Sequence, residues 1–290
     1  MRKENKNDTC VFTVLHPGMG KWIHEFADSL SNQDFQDFDL VMINDGLDLK
    51  QLKVLDQKFN CKIIPSSGSF AGNRNTGFAY LIKNGYRFVI FTDADDLMDR
   101  NRLSHCIELL QNNEMVVNDL TLITSKGERI KKNYLAERLG EFKKIQFNDI
   151  LDYNFMGLGN SCARVEILNE IIIPEDIEAV DWYMFTMLLK RGHEAVFTSS
   201  TSTLYRQHDS NISGFYKPDE TNIGILAERK YLHYFHLQTI SDHHQKRFTE
   251  FNNLIKKLKD HNFKKKYLKK INDQIPEYPF WFESIKPDLN

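Results

Sequence analysis

The chain has 290 residues, of which 41% are hydrophobic and 27% charged, with a net charge of −2. These values suit one large α/β domain with an appendage, or two small domains, and give no global case for nucleic-acid binding. The charge is uneven, however: residues 246–270 hold ten Lys or Arg against Glu250 and Asp260, a local +8 that leaves −10 on the rest.

Four cysteines, Cys10, Cys61, Cys106 and Cys162, lie far apart without a CxxC pair. That spacing argues against disulfides and for a reduced, cytoplasmic setting. The first apolar run, residues 10–15, is too short for a signal-peptide core or a membrane span. Without an export signal, the sequons Asn7-Asp8-Thr9 and Asn211-Ile212-Ser213 carry no weight.

In chain order, VFTVLH at 11–16 reads as a strand and 21–30 as a helix. A strand at 38–44 (FDLVMIN) and a helical pattern at 49–59 follow. KIIP at 62–65 is a short strand, 70–84 a helix, and FVIF at 88–91 a buried strand. Strands alternating with helices of this length indicate βαβ units and a parallel sheet. Ligands bind beyond the carboxyl ends of such strands. Three of those ends carry polar groups: His16-Pro17-Gly18, Asn44-Asp45-Gly46 and Thr92-Asp93-Ala94-Asp95-Asp96. After Met115 an antiparallel hairpin is expected, turning at Ser125-Lys126-Gly127, and then the polar, glycine-flanked stretch MGLGNSCAR at 156–164. A helix at 181–191 is stopped by Gly192 and leads into a strand. From about residue 225 the pattern is helical and increasingly basic. The expected division is a body at 1–224 and a basic helical extension at 225–290.

Asp93, Asp95 and Asp96 are the sharpest local signal. Three carboxylates this close repel one another unless a cation or hydrogen-bond donors offset them. A helix N-cap before residues 100–110 accounts for one or two of them. An EF-hand fails, because Leu97 and Met98 stand where an oxygen ligand and Gly are needed. A Mg²⁺ or Mn²⁺ site that also takes substrate phosphates fits best.

The ordered set NDG (44–46), GNRNTGF (72–78), FTDADD (91–96), VDWYMFTMLLKRGHEA (180–195) and YRQHDSN (205–211) resembles a family 2 glycosyltransferase over about residues 10–212. The resemblance implies a GT-A fold: an α/β protein with a mostly parallel central sheet flanked by helices, here with a C-terminal helical extension. It implies a nucleotide-sugar donor, inversion at the anomeric carbon, and Mn²⁺ or Mg²⁺ at the DxD motif. Carried over residue by residue, Asp45, Arg74, Asn75, Asp93 and Asp95 bind the donor. Asp93, Asp95 and His208 hold the metal, and Asp181 is the catalytic base. Two departures stand out. His16-Pro17-Gly18-Met19-Gly20 replaces the usual turn after the first strand, and Val180 precedes Asp181 where relatives carry an acid, with Asp176 and Glu178 nearby as rivals.

The implied role is transfer to a hydroxyl of a glycan or lipid-linked glycan in surface polysaccharide or glycoconjugate synthesis. The alternatives are a sugar-nucleotidyltransferase, whose glycine-rich basic loop His16–Lys21 matches poorly, and a non-catalytic nucleotide-sugar-binding domain. Trp182 and Tyr183 read equally well as sugar-stacking or core residues. His233, His236, His243 and His244 read as a solvated helix face. Residues 246–270 read as a basic amphipathic helix or helix pair, packed on the body or docked on the anionic inner face of a membrane.

Overall fold

A computed structural model describes residues 7–208, 211 and 217–287. Most of the second sequon and part of YRQHDSN lie outside the described residues.

Strands β1 (Thr9–Leu15), β2 (Asp39–Asn44), β3 (Cys61–Pro65) and β4 (Phe88–Phe91) alternate with helices α1 (Ile23–Ser31), α2 (Leu49–Asp56) and α3 (Phe70–Lys83). All four strands run parallel, in the order β3-β2-β1-β4. β1 shows why such strands read as continuous apolar runs. Cys10, Phe12 and Val14 face one core, whereas Val11 and Leu15 face a second on the other side of the sheet. α1 supplies Ile23, Phe26, Ala27 and Leu30 to the second core, and α3 supplies Ala71, Phe78 and Leu81 to the first.

The sheet continues beyond β4. The next elements are β5 (Leu97–Met98), α4 (Arg102–Leu110), β6 (Met115–Ile123), β7 (Arg129–Lys131), α5 (Ala136–Leu139), β8 (Phe142–Ile145), β9 (Ser161–Arg164), α6 (Val180–Lys190) and β10 (Ala195–Arg206). The strand order is β3-β2-β1-β4-β9-β6-β10-β5, with β7 on β6 and β8 on β10. β6 and β7 form the expected hairpin. The long β6–β10 pair is parallel, and a bulge shifts its register between Thr198 and Ser202. β9 runs antiparallel between β4 and β6. Its sequence, SCAR, is too short and polar to show a strand period, and it lies inside the polar, glycine-flanked stretch at 156–164. Gly192, at φ +94°, follows the C-cap of α6 and ends that helix as expected.

Helices α7 (Ile223–Leu237), α8 (Asp242–Lys257) and α9 (His261–Asn272) pack into the first core through Tyr234, Phe251, Leu254, Leu258, Tyr267, Leu268 and Ile271. The apolar stripe of residues 246–270 is therefore spent on the body, and Lys256, Lys257, Lys259, Lys265, Lys266, Lys269 and Lys270 are left exposed. No helix among the described residues is long and apolar enough to cross a membrane.

The histidines correct the expectation of a solvated face. His233 and His244 are fully buried. His233 stacks on Trp182 with ring centroids 3.7 Å apart, and the His244 ring is bonded to the Ser241 hydroxyl at 2.8 Å. Burial lowers both pKa values, that of His244 to about 4, so both rings are neutral aromatic core groups at pH 7. His236 and His243 sit nearer the surface, against Asp176 and Asp152. Trp182 and Tyr183 are also core, with the Trp182 indole N–H donating to Ile150 O at 2.8 Å.

Candidate active site

Several strand ends build one cleft. After β2, Asn44 Oδ1 accepts the Leu47 N–H at 2.9 Å, and Gly46 takes φ +100°, which turns the chain and presents Asp45. Just beyond β3, the Ser66 hydroxyl donates to Asp45 Oδ1 at 2.5 Å. The buried Asn73 fixes that loop by accepting the Ser67 N–H at 2.8 Å. Ser69 caps α3 by accepting the Gly72 N–H, and Arg74 follows on the same helix.

The three acids follow β4. They do not cap α4, whose N-cap is Asn101. Asp96 is instead tied to the end of β10: its Oδ1 accepts the Arg206 N–H at 2.8 Å. The buried Arg206 side chain donates to Asp95 O at 2.6 Å, to Ser125 O at 3.0 Å and to Glu25 Oε2 at 2.8 Å. His208 Nε2 lies 2.9 Å from Asp95 Oδ2, and the ring packs on Trp22 at 4.4 Å between centroids. Beneath the cluster, the buried Arg102 donates to Phe91 O at 2.9 Å and to Asn118 Oδ1 at 2.7 Å. Burial, then the charge of Asp95, raises the Asp93 pKa to about 6 despite Arg74, and the same two causes push Asp96 well above its ordinary value.

Asp181 lies in the first turn of α6, whose N-cap is Ala179 rather than Asp181. Its Oδ1 accepts the Trp182 N–H at 2.7 Å. Burial raises its pKa to about 6, and the Trp182 N–H and Arg74 oppose that rise without cancelling it. The rival acids are already paired, Glu178 with Arg229 at 2.6 Å and Asp176 with His236 at 2.7 Å.

Asp45, Arg74, Asp93, Asp95 and Asp181 all line a single cleft of about 540 Å³. Asn75 does not. Both ends of its amide are bonded to the Ile173 backbone, at 2.8 and 3.0 Å, so it fastens α3 to the segment before α6. His208 stands behind Asp95 rather than in the cleft wall. The Arg74 side chain is lodged among Asp93, Asp181 and Asp45, and its buried Nε has no hydrogen-bond partner among the described residues.

Sequence reasoning missed Gly159 and Asn160, which precede β9, and Trp281 near the C-terminus; all three line the cleft. A Cβ on Gly159 would lie 2.8 Å from Asp93 Oδ2 and 3.3 Å from Asp96 Oδ2, so the carboxylates converge on bare backbone. MGLGN carried a signal in its paired glycines, but nothing in the sequence linked it to FTDADD.

The donor set fits a hard divalent cation. Asp93 and Asp95 present carboxylate oxygens, which suit Mg²⁺ or Mn²⁺, to the cleft, and beside them the buried Asp96 Oδ2 has no hydrogen-bond partner among the described residues. The expected trio of Asp93, Asp95 and His208 is not drawn into a ligating array here: among the described residues no group of three or more His, Cys, Asp or Glu is so arranged. His208 Nε2 is directed at Asp95 instead.

The sequence model of the family described as glycosyl transferase family 2 matches residues 10–172, more than half of the chain, and the chain belongs to that family. It is therefore a glycosyltransferase. The dTDP-rhamnosyl transferase RfbG of Shigella flexneri is 25% identical over 235 residues, which span 72% of this chain and 78% of RfbG. The UDP-Glc:alpha-D-GlcNAc-diphosphoundecaprenol beta-1,3-glucosyltransferase WfgD of Escherichia coli is 25% identical over 201 residues, 66% of this chain and 75% of WfgD. Among solved structures, S. aureus TarS 1-349 in complex with UDP-GlcNAc superposes with a TM-score of 0.63 at 17% identity, covering 84% of this chain and 71% of that one. The mannosyltransferase PcManGT of Pyrobaculum calidifontis, in complex with GDP-Man and Mn²⁺, gives 0.53 at 14% identity, covering 81% and 65%. The fold is GT-A.

The raised Asp93 pKa sets a stability test. In the unfolded chain this acid ionises near pH 4, and in the folded chain near 6, so its contribution to stability is complete below about pH 4 and lost as pH rises through about 6. Asp93→Asn removes that loss. Thermal unfolding of the metal-free protein should show the variant gaining on wild type between pH 4 and 7 and exceeding it at pH 8. A variant less stable than wild type at pH 8 would mean that Asp93 is held by favourable contacts rather than crowded by like charge.

Proposed function

We propose that the chain transfers a sugar from a nucleoside-diphosphate donor to a hydroxyl of a glycan or lipid-linked glycan, inverting the anomeric carbon, with Mn²⁺ or Mg²⁺ at Asp93 and Asp95. The observation that carries this reading is the convergence of Asp45, Arg74, Asp93, Asp95 and Asp181 on one cleft. Donors and acceptors named for the relatives support it, as does the Mn²⁺ of the mannosyltransferase complex. Family membership counts against the nucleotidyltransferase alternative.

Asp45, bonded to Ser66, would meet the nucleoside, and Arg74 would meet the phosphates. Asp93 and Asp95 would hold the cation, with diphosphate oxygens completing a shell that two carboxylates leave open. When bound, the cation neutralises charge developing on the departing diphosphate. Asp181 takes the proton of the acceptor hydroxyl as that oxygen bonds to the anomeric carbon. The bond to the diphosphate breaks, its electron pair leaves with the nucleoside diphosphate, and a single displacement inverts the centre once.

Asp181→Asn should leave donor binding near wild type while transfer falls by roughly 10²–10⁴, the usual worth of a positioned general base. Transfer by the wild type should decline as pH drops through about 6, where Asp181 gains its proton. Product of retained anomeric configuration, or near-normal transfer by the variant, would overturn this assignment.

We further propose that the exposed lysines of α8 and α9 bring the enzyme to an anionic cytoplasmic membrane surface where a lipid-linked acceptor resides. With the apolar stripe buried, such docking is electrostatic, at about 1 kcal/mol per basic residue near the surface. Co-sedimentation should be strong with phosphatidylglycerol vesicles, weak with phosphatidylcholine and abolished by high salt. Equal or absent binding to both would remove the membrane contact.

A further inference from the structure

In strand order, β9 and β10 lie on the other side of β4 from β1 and β2, so the cleft has a half that the nucleotide residues do not furnish. Gly157 and Asn160 before β9, Tyr205 at the end of β10 and Trp281 form walls of that half. Trp281 lies outside residues 10–172, the part of the chain that matches the family. It arrives on the segment at 278–285, which folds back from the C-terminal helices.

That segment is locked in place. The Tyr134 hydroxyl donates to Pro279 O at 2.7 Å, and Arg138 grips Glu283 through two bonds of 2.6 and 2.8 Å. The buried Lys230 donates to Phe282 O at 3.1 Å and to Ile285 O at 2.9 Å. Phe282 has φ +64°, a left-handed conformation that is unfavourable for a bulky residue. The turn sends two rings in different directions. Phe282 stacks on Trp182, the residue next to Asp181, at 5.2 Å between centroids, while Trp281 reaches the cleft, edge-on to Tyr205 at 5.8 Å.

Close to Trp281, across Gly157, is a polar atom with no hydrogen-bond partner among the described residues. Asn160 is buried, its Nδ2 donates to Asn118 O at 2.9 Å, and its Oδ1 has no hydrogen-bond partner among the described residues. The bond to Asn118 O fixes which end of the amide is free, because a flipped amide would set two oxygens together. A Cβ on Gly157 would lie 2.9 Å from Trp281 Cη2 and 3.0 Å from Asn160 Oδ1, so the glycine keeps ring and oxygen close together.

We propose that Trp281 and Asn160 form the acceptor-sugar subsite, with the indole as stacking platform and Asn160 Oδ1 receiving a ring hydroxyl, which makes a pyranose the acceptor class. A pyranose offers an apolar C–H face and a rim of hydroxyl donors, the two surfaces that this pair complements. The assignment rests on the glycosyl-transfer reading above. It gives the strained turn a use, since the same two residues seat the platform in the cleft and brace the helix that bears the base.

The protein has three tryptophans, so 5-fluorotryptophan labelling gives three ¹⁹F signals, with Trp281 assigned from Trp281→Phe. The probes are uridine and thymidine diphosphates with Mn²⁺, and methyl pyranosides of glucose, N-acetylglucosamine, galactose and rhamnose. The Trp281 signal should move with at least one pyranoside, saturably, while the signal of the buried Trp182 stays still. Trp281→Ala should weaken that pyranoside about three- to tenfold, near the worth of one aromatic contact, and Trp281→Tyr should recover part of the loss. Nucleoside diphosphate affinity should be the same in all three proteins, which a general loss of structure would not allow. A Trp281 signal unmoved by every pyranoside, or loss of nucleotide and pyranoside binding together in Trp281→Ala, overturns the proposal. Absence of nucleoside diphosphate binding by the wild type would instead overturn the glycosyl-transfer reading.

Discussion

Like-charge repulsion in a partly dry cleft is the constraint around which this protein is arranged. Asp93, Asp95 and Asp96 fall within four consecutive residues, Asp45 and Asp181 share their cleft, and burial raises the pKa of Asp93, Asp96 and Asp181 alike. Acids in such a place are tolerated only if the scaffold around them is rigid and partly cationic. Arg102 holds the strand end beneath the cluster, Arg206 ties Asp95 and Asp96 to β10, and Arg74 is set among three of the carboxylates. The arrangement still leaves negative charge unbalanced, and the proposed divalent cation with its diphosphate would offset it.

The sheet makes the crowding possible. Parallel strands deliver Asp45 and Asp93 to one edge, and the antiparallel β9 brings Gly159 to the same edge from the opposite direction. A side chain there would collide with the carboxylates. The chain beyond the C-terminal helices adds to the cleft through Trp281. α7 engages Glu178 through Arg229 and Asp176 through His236, whereas Asp181, at the start of α6, faces the cleft. The pairing of Glu178 and Asp176 and the packing of Phe282 behind Asp181's neighbour Trp182 thus both come from the C-terminal part of the chain.

The βαβ half was legible in the sequence because its strands are buried on both faces and its helices carry clear apolar stripes. Asp45, Arg74, Asp93, Asp95 and Asp181 were legible because each stands at a strand end or in the early turns of a helix. What escaped had a physical reason in each case. β9 is four residues long with polar ends, too short for its period to register. Asn75 looks like a pocket residue beside Arg74, but its amide spans the gap to Ile173, a contact nearly a hundred residues away in sequence. His233 and His244 read as polar on a helix, although a neutral imidazole can pack in a core as His233 does on Trp182. Trp281 sits in PFWFES, where no pattern marks its return to the cleft.

In the proposed reaction the acid cluster becomes a binding site when a cation and a diphosphate arrive together. Calorimetric titration with uridine or thymidine diphosphate, with and without Mn²⁺ at pH 7.5 and again at pH 5, tests it most directly. Binding should be markedly tighter with Mn²⁺ at pH 7.5, and the gain should shrink at pH 5, where Asp93 and Asp181 carry protons. Equal affinity with and without the metal at pH 7.5 would contradict the account.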